Sequence, residues 1–202
     1  MRPIPNPREW GLAVLMVLSL VRPGAAYDPE GAFAKGTTIF GLQAGGGVHN
    51  NIEEEAFVSD ISFVNFTPRV SHLFFLPFGS GLLRSAFEPG LEGWFQYYVS
   101  PKSATAEGLK VALRYHFIGL GRFVPYLEVL AGAAGTSLKV PEIDSVFTSV
   151  LEGGGGASYF VTDTVALSFG YRFQHISNGN TSAPNRGFNS DSGVFGVSYF
   201  FK

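Results

Sequence analysis

Apolar residues recur at every second position along much of this chain. The clearest run is Leu109, Val111, Leu113, Tyr115 and Phe117, alternating with Lys110, Ala112, Arg114 and His116. Successive strand side chains point to opposite faces, so this spacing predicts an extended segment with one apolar and one mixed face. Val165, Leu167, Phe169, Tyr171 and Phe173 form a second run. A third sets Phe195, Val197, Tyr199 and Phe201 against Gly196, Ser198 and Phe200. Eight such segments can be read, over residues 36–47, 56–67, 89–99, 107–118, 123–134, 147–161, 164–176 and 191–201. Each is near the roughly 9–11 residues that a tilted strand needs to cross a bilayer. Segments two and three alternate less well, and the Phe- and Leu-rich stretch from Pro68 to Pro89 between them fits no element. The tract Gly153-Gly154-Gly155-Gly156 lacks the following Lys-Ser/Thr of a phosphate-binding loop. It reads as a bend or a close approach within a strand.

The first 26 residues carry a different pattern. Arg2 and Arg8 precede the apolar run Gly11 to Val21, and Gly24-Ala25-Ala26 supplies small residues at a cleavage site. That is the layout of a secretory signal peptide over residues 1–26, leaving residues 27–202 as one domain. Charged residues make up only 15% of the chain, against about a quarter in ordinary soluble domains. Glycine (26 residues) and aromatics (15%) are both abundant. Together these features predict an all-β fold, an eight-stranded antiparallel transmembrane β-barrel in the outer membrane of a Gram-negative-type cell. Both termini then lie on the periplasmic side, with short turns there and longer loops outside. A net charge of −2 argues against a nucleic-acid partner. The chain has no cysteine, and His49, His72 and His116 are scattered without ligand spacing, so no metal site is expected. Arg114, Arg172, Glu128 and Glu152 share an inward parity and are expected to pair inside a barrel too narrow for an aqueous channel.

His175 and Ser177 continue the parity of Val165 to Phe173, which puts a base and a hydroxyl side by side on the apolar face at the outer end of segment seven. A serine hydroxyl becomes a useful nucleophile when imidazole takes its proton. A third group must orient the ring, and donors must meet the developing oxyanion. Asn178, Gly179, Asn185, Gly187, Asn189 and Asp191 follow closely, with Asn189 and Asp191 sharing the outward parity of Phe195 and Val197.

The segment Tyr171-Arg172-Phe173-Gln174-His175-Ile176-Ser177-Asn178, continued by Asn185-Arg186-Gly187-Phe188-Asn189, resembles the signature of the lipid A 3-O-deacylases, the PagL family. The resemblance implies an eight-stranded outer-membrane barrel acting as a serine esterase. Its substrate would be the 3-hydroxyacyl chain ester-linked at position 3 of lipid A, in the outer leaflet. It implies Ser177 as nucleophile, His175 as general base, and Asn178 and Asn185 as support for the oxyanion or its loop. The family's acidic member is a Glu placed about where this chain has Asn189. Asp191, two residues along, is therefore the expected third member, with Asn189 the alternative. No cofactor is needed. Lipid A or lipopolysaccharide is the expected partner, and self-association into a homodimer stays open. Two rival readings remain: a non-catalytic outer-membrane barrel with a decayed active site, and a palmitoyltransferase working from an interior pocket. The outward parity of His175 and Ser177 counts against the latter.

Overall fold

The computed structural model describes residues 27–50 and 59–202. The signal-peptide segment and the acidic Glu53 to Glu55 lie outside the described residues. Ten strands follow a short helix α1 (Pro29–Ala32): β1 (Thr38–Asn50), β2 (Ser62–His72), β3 (Ser85–Ser100), β4 (Ala104–Phe117), β5 (Phe123–Thr136), β6 (Lys139–Val140), β7 (Ile143–Asp144), β8 (Phe147–Phe160), β9 (Val165–Ser177) and β10 (Phe188–Phe201). Eight of them close an antiparallel barrel in the order β1-β10-β9-β8-β5-β4-β3-β2, while β6 and β7 form a small hairpin inside one loop. Chain neighbours pair with each other, and β10 returns to β1 with Thr38 opposite Phe201. Closure leaves no open edge among the eight, as a spanning sheet requires.

The alternation read from the sequence maps onto inside and outside. Leu109, Val111, Leu127, Val129, Phe169, Phe195 and their kin lie exposed on the outer wall, whereas Lys110, Ala112, Arg114, Arg172 and Gln174 are buried within. The interior has three storeys. At the end carrying the termini, Phe33 inserts beside Phe160 and Phe200, with Ile39, Leu73 and Ile118 around them. At the opposite end, Phe63, Trp94, Tyr98, Ile143, Ile176 and Phe188 form an apolar cap that includes residues of the loops. Between the caps lies a lattice of ion pairs. Arg172 reaches Glu128 at 2.8 Å, Glu92 at 2.8 Å and Glu152 at 3.5 Å. Glu128 also accepts from Arg69 at 3.0 Å and Arg114 at 2.9 Å. Lys110 bonds Glu92 and Glu152, and His116 Nε2 lies 2.5 Å from Glu88 Oε2. The four charges expected to pair inside do so, joined by Arg69, Glu88, Glu92 and Lys110.

Segment two is displaced from its expected position: β2 covers 62–72 rather than 56–67, and residues 56–58 lie outside the described set. Pro68, the start of the stretch that fits no element in sequence, lies within the strand. Here it faces outward in β2, paired in register with Leu42 of β1, and the β2–β3 register skips from Phe66↔Phe95 to Arg69↔Glu92 around it. The tetraglycine tract is a strand interior. A Cβ at Gly154 would come within 2.2 Å of the Tyr171 carbonyl, and one at Gly156 within 2.7 Å of the Tyr126 hydroxyl. The missing side chains let β8 and β9 approach and give the inward Tyr126 ring its room.

Removing one side of the ion-pair lattice should leave the other buried and unmatched. Glu128→Ala, which takes one carboxylate from Arg69 and Arg172 and leaves Arg114 without its bonded carboxylate, is expected to lower unfolding stability by about 3–5 kcal/mol. Urea unfolding of the vesicle-reconstituted barrel measures it.

Candidate active site

β9 and β10 form a hairpin whose register sets His175 directly opposite Asn189 and Phe173 opposite Asp191. On the other side, β8 sets Leu151 against His175 and Ser149 against Ser177. Inward neighbours Gln174, Ile176 and Asn178 are fully buried. His175 and Ser177 are half-buried and sit on the outward face, at the end of the barrel away from the termini. One residue, Ile176, separates them along the strand, roughly 7 Å between Cα atoms.

The imidazole is oriented by one hydrogen bond. His175 Nδ1 lies 2.8 Å from Asn189 Oδ1. With the amide oxygen accepting, Nδ1 carries the proton and Nε2 keeps its lone pair, the tautomer a general base needs. Asp191 does not reach the ring. Its carboxylate accepts from the Tyr171 hydroxyl on one oxygen and from Asn50 Nδ2, at 2.9 Å, on the other. Of the two residues considered for orienting His175, Asn189 is the one hydrogen-bonded to the ring, and Asp191 is bonded elsewhere. Side-chain parity puts both residues outward, and only the hairpin register distinguishes them.

The serine sits in a shell of small polar groups. Ser149 Oγ donates to the Ser177 carbonyl at 3.1 Å and lies 3.3 Å from Ser177 Oγ. Thr148 Oγ1 bonds the same carbonyl at 3.1 Å. Asn178 is turned inward and organises the following loop. Its Nδ2 donates to the Ser182 and Pro184 carbonyls at 2.8 and 3.3 Å, while its backbone N–H donates to Asn185 Oδ1 at 2.8 Å. Asn178 and Asn185 are brought together, in the loop-shaping half of the role expected for them. Gly179 and Asn180 follow with φ near +62°, a tight reversal next to Ser177.

Residues far away in sequence hold this loop against the ring. Gly187 has φ of +72°, and a Cβ there would fall 2.7 Å from the Ile176 carbonyl and 3.3 Å from His175 Nε2. Only glycine fits both demands. Its N–H and that of Arg186 donate to the Glu142 carbonyl at 3.1 and 3.0 Å. The Glu142 carboxylate, buried, accepts from the Ser59 N–H at 2.6 Å and its hydroxyl at 2.8 Å. Three loops are therefore tied at Glu142. Sequence reasoning found neither Ser149 nor Glu142, because their proximity depends on β8 pairing and on the β6–β7 hairpin. Gly187 was the one legible signal. Among the described residues no cluster could hold a metal ion.

No curated protein matches the sequence. Among solved structures, the crystal structure of the outer membrane enzyme PagL superposes with a TM-score of 0.57 at 17% identity, covering 77% of this chain and 97% of that one. Neisserial surface protein A superposes with a TM-score of 0.52 at 22% identity, covering 83% of this chain and 100% of that one. At these identities the likeness speaks for the fold. The profile of the lipid A 3-O-deacylase (PagL) family, in contrast, matches residues 78–198, more than half of the chain and the span holding Ser149, His175, Ser177 and Asn189. Closed barrel, apolar wall and family match place the protein in the outer membrane, and the chain belongs to the lipid A 3-O-deacylase (PagL) family.

Proposed function

We propose that this protein is a serine esterase that hydrolyses the 3-hydroxyacyl chain ester-linked at position 3 of lipid A. The supporting observation is the outward His175–Asn189 bond beside Ser177, at the end of the barrel away from the termini. Ser177 Oγ attacks the ester carbonyl while His175 Nε2 takes its proton. The Asn189 carbonyl accepts from Nδ1–H throughout and steadies the imidazolium by its dipole. The Asn178 amide serves the loop, so backbone N–H groups of the reversal at Gly179 and Asn180 are the donors we assign to the oxyanion. Collapse of the tetrahedral intermediate expels the sugar 3-oxygen, which regains a proton from His175. An acyl-serine remains. Water deprotonated by His175 then attacks it and releases a 3-hydroxy fatty acid with Ser177 restored. The exposed side chains of Phe169, Tyr171, Phe195 and Val197 supply the apolar wall along which the chain lies. No cofactor takes part.

One observation favours the second reading, a barrel with a decayed site: the group facing His175 is neutral. An amide fixes the tautomer yet lacks the charge that stabilises imidazolium, so a slow enzyme is the expected compromise. The palmitoyltransferase reading, which needs an interior site, draws no support from His175 and Ser177, since both sit on the outward face.

Mass spectrometry of lipid A from cells with and without the protein tests the proposal. Loss of one 3-hydroxyacyl chain is expected with the native protein, and no loss with Ser177→Ala, whose turnover should drop by at least roughly 10³-fold. Unchanged lipid A in both would favour the decayed site. For the third member, Asn189→Asp supplies charge with the same shape and is expected to raise kcat roughly 10-fold or more. Asp191→Asn should leave kcat within a few-fold. A large loss on Asp191→Asn alone, measured in mixed micelles, would return the acid's role to Asp191.

A further inference from the structure

The Phe- and Leu-rich stretch that fits no element in sequence is the connection between β2 and β3. From residue 73 to residue 83 it carries no charged side chain. Phe74, Phe75, Leu76, Phe78, Leu82 and Leu83 stand exposed, between 43% and 71%. The segment is nonetheless built. Phe78 and Ser85 exchange backbone hydrogen bonds of 2.9 and 2.8 Å, and residues 81–83 form a 3-10 turn. Gly119 of the next turn packs so closely that a Cβ there would fall 2.1 Å from the Gly81 carbonyl. Arg84, at its end, is paired with Glu30 at 2.6 Å and bonds the Gly79 carbonyl at 3.1 Å.

Its direction is informative. Phe74 packs on His72, Phe75 on Phe87 and Phe78 on Tyr115, with ring centroids 4.7, 6.1 and 5.7 Å apart. Those three partners lie on the outward parity of β2, β3 and β4. The segment therefore folds along the outer wall and does not cross the mouth, which Phe33 already fills. It lengthens the apolar wall on one side only. The turn over residues 161–164 exposes no comparable surface. β3 also stands four strands from β9 in the ring, on the wall opposite the candidate site.

We propose that residues 74–83 are a membrane anchor, inserted among the acyl chains of the periplasmic leaflet. Two features select lipid as the occupant: the surface is continuous with the apolar wall of the barrel, and it lacks charge. Anchoring at this point would hold the barrel's depth on the side away from His175 and Ser177, and it stands whether or not those residues are catalytic.

The natural absence of cysteine allows the test. Leu76→Cys and Leu83→Cys carry nitroxide labels on the protein reconstituted in phosphatidylethanolamine–phosphatidylglycerol vesicles. Val129→Cys on the outer wall and Lys102→Cys in a loop serve as references. The ratio of oxygen to nickel-chelate collision rates is expected to be severalfold above that at Lys102 and close to that at Val129. A ratio like that at Lys102 would show a surface in water. Exclusion of both reagents would show a protein partner, with spin–spin broadening identifying it as a second copy. Either result overturns the proposal.

Discussion

An eight-stranded barrel is too narrow to hold water across its middle, so whatever points inward must be neutralised from within. This chain meets the constraint with interlocked charges. Arg172 alone touches Glu92, Glu128 and Glu152, and Glu128 in turn gathers Arg69 and Arg114. Buried pairs of this kind add little over an apolar filling, yet each becomes essential once its partner is present. Apolar clusters lie above and below this lattice. β9 shows the division in one strand: Arg172 and Gln174 serve the lattice, while His175 and Ser177, on the alternate parity, face outward.

What holds those two residues is not β9 alone. Register with β10 delivers Asn189 to the imidazole, and register with β8 delivers Ser149 to the serine. Beyond the strand ends, Glu142 ties Ser59 to Arg186 and Gly187, and Gly187 lies against the ring. A side chain on a lipid-facing wall lacks the surrounding cleft that usually fixes its orientation, and here cross-strand pairs and the loop knot take over that task.

Much of this was legible before any coordinates, because alternation is a local property. Segments four to eight fall within a few residues of β4, β5, β8, β9 and β10, and the outward placement of His175 and Ser177 follows from parity alone. Failures came where non-local geometry rules. The stretch from Pro68 onward fitted no element, whereas β2 runs through an outward Pro68 that the β2–β3 pairing skips, and carries Arg69 into the lattice. Asp191 was preferred over Asn189 for its charge, since parity cannot tell residues two apart and the register is fixed by the hairpin loop. Ser149 and Glu142 gave no sequence signal, being tied to the site only through pairing across the barrel.

The central claim is that an outward serine is activated by an imidazole whose tautomer an amide holds. Labelling with a serine-directed fluorophosphonate, mapped by peptide mass spectrometry on the folded barrel, tests it most directly. Modification of Ser177 that disappears with His175→Ala is the expected result. Labelling that falls on Ser149 instead, or that persists at Ser177 without the imidazole, would contradict the account.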